Sequence, residues 1–274
     1  MRFFGPTAPC ILSIRVPGLA PGLVPGLFLG LAISIALGFA TAPRAEETVD
    51  LELVLLSDAS GSIDEAEIAF QREGYAKAIT DPDVLKAMTG GWYGKVALTF
   101  VEWGDLFHQD VVVPWTMIDG PAAAAGFAAA LREAPRKAYG MNAIGSALDF
   151  AHNLLATNGI RGLRRVIDFS GDSAWNGNGL PLQPVRAAVL ADGITINGLA
   201  ILCRVEACSG RPRPGNLEEE FFALITGGPG SFVVTADSRE TFAAAVKRKL
   251  ILEIAGTAPA RKHVAAARPS GERY

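Results

Sequence analysis

The stretch LELVLLSDASGSI, residues 51–63, decides the fold, because an apolar run passes directly into a short polar loop. An apolar run of this length is typical of a strand that is buried on both faces of a parallel sheet. The loop DASGS, residues 58–62, then presents one carboxylate and two hydroxyls at the carboxyl end of that strand. Open parallel sheets bind their ligands at this end, so the loop is the first candidate for a functional site.

The rest of the chain repeats this alternation of apolar runs and stretches with helical spacing. The predicted strands are residues 51–57, 95–103, 109–115, 165–170, 194–202 and 231–235, and the predicted helices are 63–80, 121–132, 143–157, 182–192, 217–225 and 239–254. Strands joined through helices form right-handed β-α-β units, which predicts an α/β fold with a doubly wound, mainly parallel sheet flanked by helices. Pro114 favours an edge position for its strand, and Gly104-Asp105 predicts a hairpin link to it, so one antiparallel edge strand is expected.

Composition places the bulk of the chain in the globular class. Of the 274 residues, 50% are hydrophobic and 19% are charged, which gives enough apolar surface to offset the ordering entropy of folding. The formal net charge of −3 predicts no nucleic-acid partner, because such a partner calls for a concentrated basic field. Three cysteines in this length exclude a disulfide-rich scaffold and the multi-cysteine zinc sites.

Residues 1–42 predict a signal peptide. Arg2 and Arg15 are the only charged residues in this segment, and the apolar run 23–42 ends in Ala40-Thr41-Ala42, which fits a signal-peptidase site. The same run is long enough to span a bilayer, so an uncleaved membrane anchor is the alternative. We therefore expect a periplasmic or secreted protein with no membrane contact beyond the signal segment.

Two further predictions depend on export. Cys203 and Cys208 remain after signal cleavage, and in an oxidising compartment they are expected to form a disulfide, with two free thiols as the alternative. One folded domain is expected at 49–255. Residues 256–274 contain four basic residues and no apolar periodicity, which predicts a disordered basic tail.

Two other loops are expected to meet the first one. The strand at 165–170 leads into DFSGDS, residues 168–173, which supplies a second carboxylate, Asp172, at the same kind of position. Between these loops, GMNAIGSAL at 140–148 opens a helix and offers a third oxygen. Hard divalent cations prefer such oxygen ligands, although D-x-S-x-S alone is equally compatible with a helix-capping turn that binds nothing.

Taken together, these segments resemble the von Willebrand factor A-like (VWA-like) fold with its metal-ion-dependent adhesion site. The phrases VLLSDASGSI, NAIGSALDFA, VIDFSGD, and INGLAI with GGPGSFVV are similar to a bacterial exported family of unknown function that carries this domain. The resemblance implies a divalent cation held by four matching residues, namely Asp58, Ser60, Ser62 and Asp172. The family's Thr position falls on Asn142, a departure, since an amide oxygen ligates but reaches farther than a hydroxyl. Ser146, one helical turn later, is the less favoured substitute.

The resemblance also implies a binding role and no enzymatic activity. Mg²⁺ is expected, with Mn²⁺ and Ca²⁺ as alternatives, and an Asp or Glu of a protein or peptide partner is expected to fill an open coordination position. Trp175, which follows Asp172 closely, is expected to border the site. Two alternatives stay open: a hydrolase that uses the serines at 170–173, for which no His follows until His263, and a vestigial module without metal.

Overall fold

The structure, a computed structural model, describes residues 46–202 and 216–256. The strands of this part of the chain are β1 (Glu47–Val49), β2 (Leu51–Asp58), β3 (Val96–Trp103), β4 (Gln109–Ile118), β5 (Ile160–Gly162), β6 (Arg165–Gly171), β7 (Thr195–Ile201) and β8 (Val233–Ala236). The helices are α1 (Glu65–Ile79), α2 (Pro82–Thr89), α3 (Pro121–Glu133), α4 (Ile144–Thr157), α5 (Leu182–Ala191), α6 (Leu217–Leu224) and α7 (Arg239–Ala255).

Six strands form one sheet in the order β4-β3-β2-β6-β7-β8. All neighbouring strands run parallel except β4, which pairs antiparallel with β3 at the sheet edge. This confirms the predicted α/β fold with a mainly parallel sheet and one antiparallel edge strand. β1 and β5 pair in a separate two-stranded parallel sheet.

Helices cover both faces of the large sheet, as a sheet buried on both sides requires. On one face, Tyr75 of α1 and Phe242 of α7 pack with Leu53 of β2 in a core that also includes residues of α2 and α3. On the other face, Leu148 of α4 and Phe221 of α6 pack with strand residues and with α5 in a second core. The apolar run of β2 supplies both cores because alternate side chains point to opposite faces.

The structure contains three elements that sequence patterns did not predict, namely β1, α2 and β5. β1 and β5 have three residues each, and α2 has eight, so none is long enough to show a clear hydrophobic period. β4 continues to Ile118 beyond the predicted end at residue 115. The chain tolerates Pro114 there because an edge strand has one side that makes no ladder hydrogen bonds.

Several predictions concern residues outside the described part of the chain. These are the signal segment 1–42, the pair Cys203 and Cys208, and residues 257–274 of the predicted tail. Gly256 is described and ends α7 with a φ of +66°, the left-handed conformation that glycine adopts without steric cost. None of the helices in residues 46–202 and 216–256 has the length and apolar character of a membrane span.

Candidate metal centre

The candidate site lies where the strand order of the sheet reverses. After β2 the chain adds β3 and β4 on one side, and it then returns to place β6 on the other side of β2. The carboxyl ends of the neighbouring parallel strands β2 and β6 therefore lie at one edge of the sheet, at the topological switch point where such folds bind ligands. Asp58 ends β2, and Asp172 directly follows β6.

Asp58 is a fully buried carboxylate with one unused oxygen. Its Oδ1 accepts a hydrogen bond from the backbone N–H of Ser60 (2.8 Å), whereas Oδ2 has no hydrogen-bond partner among the described residues. Burial, followed by the nearby negative charge of Asp172, raises the pKa of Asp58 from 3.8 to about 7. A buried polar oxygen without a partner is costly, so this atom favours a cation or a proton.

Gly171, the last residue of β6, allows this strand to approach the Asp58 carboxylate closely. A Cβ atom at position 171 would lie 3.2 Å from Asp58 Oδ2 and 3.4 Å from the Trp103 ring. The first of these distances is tighter than most side-chain contacts, so a larger residue at position 171 would press on Asp58 Oδ2. The negative charge of Asp172 contributes to the raised pKa of Asp58, so the two predicted carboxylates influence each other.

The two serines of the first loop lie beside each other. The hydroxyl oxygens of Ser60 and Ser62 are 3.3 Å apart, with Ser60 buried and Ser62 half-buried. The loop then leads into α1, whose N-cap Asp64 forms a capping box with Glu67. The helix start thus fixes the direction in which the loop leaves the sheet.

Arg136 holds the backbone of this loop, a role that sequence patterns did not predict. Its guanidinium donates hydrogen bonds to the carbonyl oxygens of Ala59 (2.7 Å) and Ile63 (2.9 Å), and also to that of Ala138 (3.1 Å). The planar group also stacks on the Tyr139 ring, 4.8 Å from its centroid. Arg136 therefore joins the serine-bearing loop to the segment that precedes α4.

The structure places Asn142 next to this loop and against the loop that follows β6. The N–H of Gly61 donates to the carbonyl of Gly140 (2.7 Å), and the carbonyl of buried Asn142 accepts from Gly177 N (2.7 Å) and Asn178 N (3.1 Å). All three predicted loops are thus tied together through residues 140–142. Whether the side-chain oxygen of Asn142 ligates a cation stays a prediction.

Ser146, the less favoured candidate, has a different contact. Its hydroxyl accepts a hydrogen bond from the N–H of Leu180 (3.0 Å), so it anchors the loop after β6. The Oδ1 of Asn176 supports the same junction by accepting from Gly145 N (3.1 Å). Ser146 thus has a structural contact of its own, and which of the two positions supplies a third-loop ligand stays a prediction.

Exposed apolar side chains are concentrated around the site. Of ten exposed large hydrophobic residues in the described part of the chain, six lie in the loops after β3, before α4 and after β6: Leu106, Phe107, Tyr139, Met141, Trp175 and Leu180. We call these six residues the apolar rim. Phe107 is 85% exposed and Trp175 56% exposed, which is unusual for large aromatic residues without a binding partner.

Histidine and acidic side chains offer no separate metal cluster in residues 46–202 and 216–256. No group of three or more His, Cys, Asp or Glu side chains there is arranged to hold a metal ion, so the candidate centre depends on hydroxyl and amide oxygens beside two carboxylates. His108 contacts Asp105 (2.7 Å), and His152 contacts Asp192 (2.7 Å). These contacts with aspartates do not supply the serine–histidine pair that a hydrolase would use.

Comparison with known proteins adds a family and a fold. A family described as "Protein of unknown function (DUF1194)" matches residues 48–258. A search of curated proteins found no match.

Three solved structures are similar at low sequence identity. They are proximal thread matrix protein 1 from the mussel byssus with a zinc-occupied MIDAS motif (TM-score 0.53, 17% identity, 77% of this chain covered), the pilus adhesin SpaC from Lactobacillus rhamnosus GG (0.52, 15%, 78%) and a von Willebrand factor type A protein from Catenulispora acidiphila (0.51, 15%, 76%). This chain spans 49%, 31% and 43% of their respective lengths. At these identities the likeness shows the fold alone, and it confirms the VWA-like fold that the sequence segments indicated.

Proposed function

Because the chain belongs to the DUF1194 family, whose function is unknown, we propose a function from the site: a VWA-like module that binds a divalent cation and recognises another protein through it. The observation that carries this proposal is the buried Asp58 carboxylate, whose Oδ2 has no partner among the described residues at the switch point of the sheet. The cation would be held by the predicted set Asp58, Ser60, Ser62 and Asp172, with Asn142 as the third-loop ligand.

The donor chemistry fits a hard divalent cation. Burial raises the pKa of Asp58 most, and repulsion from the nearby Asp172 carboxylate raises it further. A divalent cation offsets this repulsion, and oxygen ligands of this kind suit Mg²⁺, with Mn²⁺ and Ca²⁺ as alternatives. The zinc-occupied motif in the mussel protein supports a divalent ion and makes Zn²⁺ a necessary arm of any test.

The apolar rim supports a protein partner. A cation with an open coordination position accepts an Asp or Glu carboxylate, so that the metal would bridge two proteins. Phe107, Met141 and Trp175 would bury apolar surface around that central contact, an arrangement common at protein interfaces. A binding role, and no enzymatic activity, is the function that this combination supports best.

Export is part of the proposal. The signal segment at 1–42 supports a periplasmic or secreted location, with cleavage after the apolar run. One structural relative is a pilus adhesin, which agrees with a recognition role outside the cytoplasm. A cleaved signal would leave the domain at 49–255 as the mature binding unit.

Affinity capture from the native cell envelope tests this function directly. The wild-type chain with Mg²⁺ should retain a partner that is lost with EDTA and with Asp58→Asn. The exposed Asp119 gives a matched control, since Asp119→Asn removes the same charge away from the site and should retain the partner. Equal capture by wild type and Asp58→Asn, with or without EDTA, would exclude the metal-bridged function.

A further inference from the structure

A second cluster of charged side chains lies inside the protein, between α7 and the sheet. Lys249 is 0% exposed, and its Nζ lies 2.5 Å from Asp168 Oδ1 on β6 and 2.5 Å from Glu253 Oε1 one helical turn later. Asp168 and Glu253 are also buried, at 0% and 1% exposure. Lysine and acidic residues are almost never buried to this extent unless they are paired, so the contacts among these three groups decide what the cluster can do.

The two short contacts of Lys249 differ in geometry. The amine donates a hydrogen bond to Glu253 Oε1, whereas neither oxygen of Asp168 has a hydrogen-bond partner in the described residues. Lys249 Nζ therefore lies against the Asp168 carboxyl without hydrogen bonding to it. Such a contact is a poor salt bridge, since buried ion pairs are stabilising only when good geometry and hydrogen bonds satisfy both charges.

The charge balance of the cluster favours neutral groups. One amine faces two carboxyls, and burial raises the pKa of both Asp168 and Glu253, that of Glu253 to about 8. Glu253 is therefore protonated at neutral pH. In a site without solvent exposure, a neutral amine beside a protonated carboxyl avoids the cost of burying ions, which an ion pair would carry.

A neutral amine in contact with a protonated carboxyl is a nucleophile beside an electrophile. A desolvated lysine is an effective nucleophile, and exclusion of water opposes hydrolysis of the product. The Phe232 ring centroid lies 5.7 Å from Nζ. Buried Tyr75 also lies near the acidic pair, because burial and then the charges of Asp168 and Glu253 raise its pKa.

We propose that Lys249 and Asp168 form an intramolecular isopeptide bond, with Glu253 as the catalytic acid and base. Nζ attacks Cγ of Asp168 while protonated Glu253 donates its proton to an Asp168 oxygen. The resulting Glu253 carboxylate takes a proton from the nitrogen and returns it to the departing hydroxyl. It then takes back the proton of the carbonyl oxygen as the C=O bond re-forms. The Cγ–O bond breaks, one water molecule leaves, and Glu253 ends in its initial protonation state. The step is redox-neutral and needs no co-reactant.

Asn197 positions the catalytic carboxyl. Its Nδ2 donates to Glu253 Oε1 (3.2 Å), and its own Oδ1 accepts from the N–H of Phe232 (3.2 Å). Asn197 lies beside Asp168 in the β6–β7 register, so one face of the sheet presents both the electrophile and the support for the catalyst. The bond would tie α7 covalently to β6, independently of the proposed cation site.

Intact-mass spectrometry of the reduced and alkylated full chain tests the bond. The wild type should be lighter than its calculated mass by about 18 Da, the mass of the released water. Trypsin should then release Val166–Arg186 joined through Asp168 to Lys249–Arg261, with no cleavage after Lys249. A wild type at its full calculated mass overturns the proposal, and this holds even where a buried variant fails to fold.

Matched variants separate the roles. Lys249→Arg keeps a long basic side chain but removes the nucleophilic amine, and Glu253→Gln keeps the shape but removes the catalyst, so both should show the full calculated mass. Lys247→Arg, at a partly exposed position that pairs with Asp81 and Asp83, should keep the loss of about 18 Da. A mass loss that persists in Lys249→Arg would place the modification elsewhere and reject the assignment.

Discussion

Replacing Asp58 with Asn should stabilise the cation-free protein while abolishing its response to cations. The pKa of Asp58 is about 7 in the folded state against an ordinary value of 3.8, so the ionised carboxylate opposes folding. For a carboxyl whose folded pKa is raised, stability is greatest below the unfolded pKa and is lost as the pH rises through the folded pKa. The wild type without cation should therefore lose stability between about pH 4 and pH 7.

The size of this effect follows from the two pKa values. The raised pKa of Asp58 lowers the free energy of unfolding of the cation-free protein by roughly 4 kcal/mol at pH 8 and by about 2 kcal/mol at pH 5. Asn removes the charge and keeps one oxygen for the Ser60 N–H, but it places an amide group in a buried site. We therefore expect Asp58→Asn to recover about half of this lost stability, so that its free energy of unfolding exceeds that of the wild type by roughly 2 kcal/mol at pH 8. This corresponds to a rise in Tm of about 4–8 °C for a domain of this size.

Thermal unfolding followed by circular dichroism measures both parts of the prediction. In EDTA at pH 8, Asp58→Asn should melt above the wild type, and the difference should shrink at pH 5. Millimolar Mg²⁺ or Mn²⁺ should raise the wild-type stability by about 2.7 kcal/mol at 100 times Kd and leave Asp58→Asn unchanged. The exposed control Asp119→Asn should match the wild type throughout.

Two results would refute this reasoning. If Asp58→Asn melts at or below the wild type in EDTA at pH 8, Asp58 is not an isolated buried charge in the cation-free protein. If it keeps the full cation-induced rise, Asp58 is not a ligand.

Three further predictions concern the third loop, the arginine clamp and the cysteines. Asn142→Thr should tighten cation binding a few-fold in titration calorimetry, because Thr is shorter and stiffer than Asn at χ1; equal binding by Asn142→Ala would show that position 142 is not a ligand. Arg136→Met should lower unfolding stability by on the order of 2–3 kcal/mol and weaken cation binding, with partial recovery in Arg136→Lys; unchanged cation affinity in the folded Met variant would limit Arg136 to a structural role. Alkylation without reductant should leave Cys203 and Cys208 unmodified in the exported protein, whereas two alkylated cysteines in the mass spectrum would contradict the disulfide.

The sequence by itself determined the fold class and the location of the candidate site. The apolar run before Asp58 and the one before Asp172 mark buried parallel strands, and strand ends of this kind carry ligand sites. These signals are local, since a strand, its turn and the following helix cap are contiguous in the chain. For the same reason the short elements β1, α2 and β5 were missed, because they contain too few residues to show a period.

Only the tertiary structure decided which distant groups share a buried environment. Lys249 stands in the run KRK at 247–249, which as a sequence reads as a solvated part of an amphipathic helix, yet the packing of α7 on the sheet buries it against Asp168. Arg136 likewise reaches the carbonyls of the first loop only because the segment before α4 folds back over it. Burial and neighbouring charged groups set the pKa values of Asp58 and Glu253. Burial and charged neighbours depend on contacts between distant segments, which periodicity and local motifs do not encode.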